Sequence, residues 1–142
     1  MMQSILIVKT SALGDVIHAF PVLSFLRKRF PDAQIDWAVE ASCCPLVEAH
    51  PDVSNVIVVD TKAWRRSPLS LTTFNAVRAF RKKLKHQTYD VIFDLQGNTK
   101  SGLILLQAKA KAKVGFGPGS VAEWPNRLFT TNKYEIEKGK NI

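Results

Sequence analysis

The chain has 142 residues, of which 46% are hydrophobic and 23% charged, and its formal net charge is +8. This length and composition predict one globular domain with a sizeable buried core and exclude a largely disordered chain. No run reaches the roughly 18 consecutive apolar residues of a membrane span, and the first residues lack a secretory layout, so we expect neither feature.

The positive charge predicts a polyanionic partner. Nucleic acid, an anionic membrane surface and a phosphorylated substrate all stay open, because charge alone does not choose among them. The clustering of the cations weakens the alternative of a merely solubilising surface.

The two cysteines, Cys43 and Cys44, are neighbours in sequence. Adjacent cysteines seldom form a structural bridge, and the chain offers no metal-type spacing elsewhere. We interpret the pair as reduced, small buried side chains in a cytosolic protein.

Hydrophobic patterning predicts strands that alternate with helices. Strands are predicted at 4–9, 34–40, 53–60, 89–95 and 113–116, the first because its apolar run does not alternate. Helices are predicted at 16–30, 45–50, 73–85 and 100–108, with Pro21 restarting or kinking the first, and 61–70 is predicted to be a basic loop. The apolar stripe predicted for the helix at 73–85 consists of Phe74, Val77, Phe80 and Leu84. This alternation predicts a doubly wound parallel α/β sheet with right-handed crossovers.

The predicted strands end in polar or glycine-bearing segments. These ends are 9–11, Glu40, Asp60, 94–97 and 115–117. Because the carboxyl ends of parallel strands open on one edge, that edge is the expected ligand crevice.

Asp15 follows Gly14 in the first strand-to-helix loop. The carboxylate by itself favours a helix N-cap, and the alternative is a general base within reach of a bound hydroxyl. Lys9 and Ser11 in the same loop favour a reactive site without deciding the matter. His18, one turn later, is interpreted as a packing residue.

The other loops carry weaker signals. A dinucleotide fingerprint and a Walker loop are both absent from the sequence, and the glycine-rich 115–119 is interpreted as a turn. The segment 62–66 is either a clamp for an anionic ligand through Lys62, Arg65 and Arg66 or a solvated loop with Trp64 packed on the domain. The loop at 94–101 either caps the following helix or uses its amides and Gln96 to bind a sugar or phosphate.

Residues 9–21 read Lys-Thr-Ser-x-x-Gly-Asp-hydrophobic-hydrophobic-His-x-x-Pro. This motif resembles the opening of the bacterial lipopolysaccharide heptosyltransferases of glycosyltransferase family 9, in particular the type that adds the first heptose. The resemblance continues through nearly the whole chain, at 36–40, 64–65, 89–97, 100–101, 115–116 and 127–132.

The resemblance implies the Rossmann-like N-terminal half of a two-domain GT-B glycosyltransferase. It implies that heptose passes from ADP-heptose to Kdo–lipid A with inversion, without a cofactor or a required metal. By this resemblance Asp15 is the general base, and the substrate-binding residues are Lys9, Ser11, Gly14, Lys62, Arg65, Arg66, Gln96, Gly97 and Lys100. It also implies a cytoplasmic protein peripheral to the inner membrane, with no nucleic-acid partner.

The chain departs from the family pattern in three places. Ala63 stands where a basic residue is usual before the tryptophan, and Ala122 stands where an arginine is usual before Glu123. The chain is also shorter than the family, so we expect residues 1–142 to be a single acceptor-side domain, with the donor-binding domain absent and the isolated chain inactive. A family member with another acceptor, and a non-catalytic basic module that binds anionic glycolipid or nucleic acid, are the alternatives.

Overall fold

The computed structural model describes residues 3–97, 99–116 and 132–134. The strands are β1 (Ser4–Val8), β2 (Gln34–Glu40), β3 (Asn55–Val59), β4 (Thr88–Asp94), β5 (Lys109–Phe116) and β6 (Asn132–Tyr134). The helices are α1 (Leu13–His18), α2 (Phe20–Arg29), α3 (Cys44–Glu48), α4 (Thr61–Arg66), α5 (Leu71–Lys85) and α6 (Thr99–Gln107). A short 3-10 turn at Ala41–Cys43 precedes α3.

The strands form one parallel sheet in the order β3-β2-β1-β4-β5-β6. β1 pairs with β2 on one side and with β4 on the other, so that Leu6 lies between Asp36 and Ile92. The chain winds outward from β1 in both directions, which confirms the predicted doubly wound parallel sheet. The strands therefore end along a common edge, called the carboxyl edge below.

Two hydrophobic clusters cover the two faces of the sheet. Ile7, Leu23 and Trp37 belong to the cluster beneath α1, α2 and α3, while Leu6 and Leu84 belong to the cluster beneath α4, α5 and α6. Successive residues of β1 thus enter opposite clusters, which explains why its sequence does not alternate between apolar and polar.

The predicted helix at 16–30 is two helices that meet at Ala19. Pro21 is in the first turn of α2, where its missing amide hydrogen costs no helical bond. The predicted restart at Pro21 is confirmed, while the first helix begins earlier than predicted, at Leu13.

The prediction of a loop at 61–70 was wrong for residues 61–66, which form α4, and holds for 67–70. The side chain of Asp60 accepts a hydrogen bond from the amide of Ala63 at 3.2 Å and caps this helix. Ser70 caps α5 in the same way through the amide of Thr73 at 3.1 Å. These two caps divide a basic stretch into two helices.

The stripe predicted on α5 is only partly buried. Phe80 and Leu84 are in the core and Val77 is half-buried, but Phe74 is 61% exposed. The apolar stripe therefore reaches the core only in the second half of α5, and Phe74 in its first turn stays largely exposed.

β5 is longer than the predicted strand at 113–116, because it begins at Lys109. Two lysines of this strand find partners on neighbouring elements: the Lys111 ammonium lies 3.3 Å from Asp90 on β4, and Lys113 donates to the carbonyl of Leu105 on α6 at 2.6 Å. Gly117 to Gly119, interpreted as a turn, lie outside the described residues, as do Ala122 and Glu123.

Both cysteines are free; Cys43 is buried, as predicted, but Cys44 is only half-buried. Within the described part of the chain, every helix is too short or too polar to cross a membrane.

Candidate functional site

The loop that follows β1 is held at the carboxyl edge by three neighbours. The indole of Trp37 donates to the carbonyl of Lys9 at 2.9 Å, and the amide of Glu40 donates to the carbonyl of Thr10 at 3.0 Å. The side-chain carbonyl of Gln96 accepts from the amides of Thr10 and Ser11 at 3.1 and 3.4 Å. These contacts fix the backbone of the loop and leave the side chains of Lys9 and Ser11 half-buried at its surface.

Asp15 is the third residue of α1, and its side chain is exposed. The N-cap position is occupied by Ala12, which provides no side-chain cap, so the interpretation of Asp15 as an N-cap was wrong. The first turn of a helix favours a carboxylate, because unpaired amides point towards it. Asp15 is thus a solvent-accessible carboxylate beside the fixed loop after β1.

The surface next to Asp15 is open. Among the described residues, no heavy atom outside the local backbone lies within 4 Å of the position that a Cβ on Gly14 would take. His18, interpreted as a packing residue, is instead exposed at the end of α1.

Glu40 and Lys100 form a partly buried ion pair on the same edge. The Lys100 ammonium lies 2.8 Å from Glu40 Oε1, and the carboxylate also accepts from the hydroxyl and the amide of Thr61. Glu40 therefore connects the ends of β2 and β3 to the start of α6. The structure gives Lys100 a protein partner in addition to the ligand role predicted for it.

The turn after β4 is built around Asp94, which is 1% exposed. Its Oδ1 accepts from the amides of Gln96 and Gly97, both at 3.0 Å, and its Oδ2 accepts from Ser101 Oγ at 3.1 Å. Gly97 has a φ of 68°, a conformation that favours glycine over residues with a side chain. This turn directs Gln96 back to the loop after β1, so Gln96 positions that loop.

Lys62, Arg65 and Arg66 lie on α4, and all three side chains are exposed. Their spacing of three and four residues places them along one side of the helix. Trp64 packs inward on Phe80, with ring centroids 5.7 Å apart. The packing predicted as one alternative for Trp64 is confirmed, and it orients the three cations outward.

Among the described residues, two of the cavities lie away from the cations of α4. One, of about 420 Å³, opens at the amino ends of the strands beside Asp36 and Tyr89. The phenol of Tyr89 donates to Asp36 at 2.6 Å, and burial, followed by this hydrogen bond, raises the pKa of Tyr89. The other, of about 390 Å³, is an apolar groove between α2 and the end of β4.

The carboxyl edge thus combines an exposed carboxylate, a lysine and a serine on a fixed loop, and a cationic helix. The carboxylate can accept a proton from a bound hydroxyl, and the cations can hold an anionic ligand by charge and hydrogen bonding. Within residues 3–97, 99–116 and 132–134, there is no group of three histidine, cysteine, aspartate or glutamate side chains that could hold a metal ion.

Sequence reasoning missed the parts played by Glu40 and Asp94. Both are acidic residues at the ends of buried strands, which was a visible signal. The partners of Glu40 lie on other elements, so the sequence alone could not assign them, whereas those of Asp94 follow it within seven residues.

Comparisons with known proteins agree with this geometry. Residues 77–142 match the family model described as glycosyltransferase family 9 (heptosyltransferase). Lipopolysaccharide heptosyltransferase 1 of Escherichia coli K12 is 33% identical over 94% of this chain and 42% of its own length. The enzyme of the same name from Pseudomonas aeruginosa PAO1 is 32% identical over 96% of this chain and 39% of its own length.

A solved structure titled E. coli heptosyltransferase WaaC with ADP superposes with a TM-score of 0.91 at 32% identity, covering 97% of this chain and 43% of that one. A second, titled E. coli heptosyltransferase WaaC with ADP-2-deoxy-2-fluoro heptose, gives a TM-score of 0.90 at the same identity, covering 97% and 44%. The chain therefore spans about two fifths of the length of the relatives it matches.

Proposed function

The chain belongs to glycosyltransferase family 9, the heptosyltransferase family, and we propose that it is the acceptor-binding part of an inverting enzyme of lipopolysaccharide core synthesis. The proposed reaction transfers heptose from ADP-heptose to the Kdo–lipid A inner core. The observation that carries this proposal is Asp15, an exposed carboxylate on the first turn of α1 beside a loop fixed from three sides.

In the proposed mechanism, Asp15 accepts the proton of the acceptor hydroxyl. The hydroxyl oxygen then forms a bond to the anomeric carbon of heptose, the bond from that carbon to the ADP oxygen breaks, and ADP leaves with the electron pair. Lys9 and Ser11 line the reaction centre, and the lysine offsets negative charge that develops there. Gly14 has no side chain, which leaves room for the reacting groups.

The proposed acceptor clamp consists of Lys62, Arg65 and Arg66. Guanidinium groups pair with phosphate and carboxylate oxygens through two parallel hydrogen bonds, which suits the acidic sugar and phosphates of Kdo–lipid A. The location of these residues on one exposed side of α4 supports this role. We further propose that Gln96 and Gly97, in the turn after β4, and Lys100, at the start of α6, contribute to substrate binding.

The donor is proposed to bind mainly through residues outside this chain, in a second domain. The two related solved structures are of E. coli heptosyltransferase WaaC with ADP and with ADP-2-deoxy-2-fluoro heptose, which supports a nucleotide-sugar donor. The isolated chain is then inactive by itself. Its proposed place is the cytoplasmic face of the inner membrane, where an acceptor with a lipid anchor is accessible, and nucleic acid is not an expected partner.

A family member that acts on another acceptor is the second candidate. Ala63 favours it, because the family's usual basic residue before the tryptophan is missing from the clamp.

Calorimetry with the 142-residue chain tests the proposal. We expect binding of Kdo–lipid A, little binding of ADP-heptose, and at least about tenfold weaker acceptor binding after Lys62→Ala, Arg65→Ala and Arg66→Ala are combined. The matched control combines Lys28→Ala, Arg29→Ala and Lys109→Ala, three exposed cations near the opposite edge of the sheet.

Equal losses in the clamp and control variants would contradict the clamp. Preference for ADP-heptose would contradict the assignment of this domain to the acceptor. Binding of another core oligosaccharide in place of Kdo–lipid A would select the second candidate.

A further inference from the structure

The net charge of the chain resides entirely in one segment. Eight of the twenty lysines and arginines lie between Thr61 and Lys85, and this segment contains no aspartate or glutamate. The other twelve cations are matched by the twelve acidic residues elsewhere in the chain. The +8 charge is therefore the charge of α4, α5 and the turn between them.

On α5, much of this charge shares one exposed side. Residues three and four apart in a helix lie on the same side, and Phe80 and Leu84 mark the buried one. The exposed side carries a different set at the same spacing: Leu71, Phe74, Arg78, Lys82 and Lys85. It extends for about 22 Å along the helix.

The end of this stripe is apolar. Leu69 is 98% exposed, Leu71 74% and Phe74 61%, all within six residues. Because α4 follows the end of β3 and α5 leads to the start of β4, the first turn of α5 lies near the carboxyl edge. The apolar end therefore lies on the same side of the molecule as Asp15 and the proposed clamp.

We propose that this surface, formed by Leu69, Leu71, Phe74, Arg78, Lys82 and Lys85 and called the docking face, binds an anionic lipid bilayer. The three apolar side chains enter the boundary between headgroups and acyl chains, and the cations contact lipid phosphates. The inference rests on the proposed function in one respect: the bilayer is then the source of a lipid-anchored acceptor.

The apolar end favours a bilayer over nucleic acid. A nucleic-acid phosphate backbone attracts cations, but exposed leucines contribute nothing to its binding. Base stacking requires several accessible aromatic rings. A bilayer binds both the apolar end and the cations of the docking face, since burial of apolar area adds to the attraction by anionic lipids.

Vesicle binding of the full chain tests this inference with two pairs of matched variants. Phe74→Ser on the docking face is compared with Phe25→Ser on α2, a phenylalanine of similar exposure (61% and 65%) on the opposite face of the sheet. The double variant Arg78→Glu and Lys82→Glu on α5 is compared with a second double variant, Lys28→Glu and Arg29→Glu on α2. Both double variants change the net charge by the same amount. All six side chains are exposed, so each variant should retain the fold.

We expect binding to mixed phosphatidylglycerol–phosphatidylcholine vesicles and little binding to pure phosphatidylcholine. Phe74→Ser should weaken binding about tenfold, near the lower end of the gain from burying that side chain, and Phe25→Ser should leave it nearly unchanged. The charge reversal on α5 should weaken binding at least about a hundredfold, and the reversal on α2 far less.

Equal losses in the two charge reversals, or no effect of Phe74→Ser, would overturn the docking face in favour of non-specific attraction. Stronger binding to a short nucleic-acid duplex, insensitive to Phe74→Ser, would overturn it in favour of nucleic acid. Binding of a lipid-free Kdo-bisphosphate sugar, measured in the same variants, separates this inference from the proposed function. Binding of this lipid-free sugar should be unchanged in every docking-face variant. If the unchanged chain does not bind the sugar, the proposed acceptor site is wrong.

Discussion

Replacing Lys100 by methionine tests how the carboxyl edge is held together. The change removes the ammonium that lies 2.8 Å from Glu40 but retains much of the aliphatic packing. The Glu40 side chain is only 10% exposed, so its carboxylate would lose its charged partner in a poorly solvated position. A single charged hydrogen bond contributes about 1.5–3 kcal/mol, and breaking a fully buried ion pair costs about 3–5 kcal/mol.

Two features place the expected loss of stability in the lower of these two ranges, about 1.5–3 kcal/mol. The Lys100 side chain is 26% exposed, so water reaches the pair, and Thr61 continues to donate two hydrogen bonds to Glu40. We therefore expect Lys100→Met to lower the free energy of unfolding by about 2 kcal/mol. With a urea m-value of about 2 kcal/mol/M, the unfolding midpoint would fall by about 1 M.

A double-mutant cycle with Glu40→Gln separates the ion pair from the loss of packing. The neutral amide still accepts from Thr61, so the double variant should recover part of the stability lost in Lys100→Met, with a coupling of about 1 kcal/mol or more. Urea unfolding followed by circular dichroism at neutral pH measures all four proteins. A Lys100→Met protein as stable as the unchanged chain, or strictly additive effects, would refute the bridging role of Glu40.

Three further predictions concern single carboxylates and one phenol. In a full-length enzyme, Asp15→Asn should lower turnover by a factor of about 10² to 10⁴ with the fold intact, and substantial residual activity would remove Asp15 as the base. The pKa of Asp90 is lowered, chiefly by hydrogen bonds from two backbone amides at the start of β1. Its contribution to stability is therefore complete above the unfolded pKa of about 3.9 and is lost as the pH falls through the lowered value. Asp90→Asn should flatten the acid limb of a stability–pH profile, and an unchanged limb would contradict this. Burial and the hydrogen bond to Asp36 raise the pKa of Tyr89, so stability should decline above pH of about 10, where only the unfolded phenol ionises. Tyr89→Phe should abolish that decline and cost about 1–3 kcal/mol at neutral pH, as measured by urea unfolding, because Asp36 loses a buried donor.

The sheet could be predicted from the sequence because its central strands, β1, β2 and β4, are largely buried on both faces. Ile5 to Val8 alternate between two clusters, so every position is apolar and the run is recognisable without any partner. The helix restart at Pro21 was equally local, since it depends on the missing amide of one residue.

The features that sequence reasoning missed have weak local signals or depend on distant partners. α4 is a short helix whose cap comes from Asp60 and whose packing comes from Trp64 on Phe80, and its basic composition resembles that of a loop. Glu40 gains its role only from residues 21 and 60 positions away in the chain. Asp15 was placed correctly at the edge, but its place within α1 depends on where the helix begins, and helix ends are poorly marked in sequence.

The central position of β1 has a consequence for folding during synthesis. β1 is made first, yet one of its two neighbours is β4, and the amide of Thr10 is held by Gln96, 86 residues later. A ribosome adding about 5–20 residues per second needs about 4 to 17 s to cover that separation. During this interval the nascent chain carries β1, apolar from Ile5 to Val8, with an unpaired edge. Chaperones shield segments of this kind, which otherwise pair with other chains.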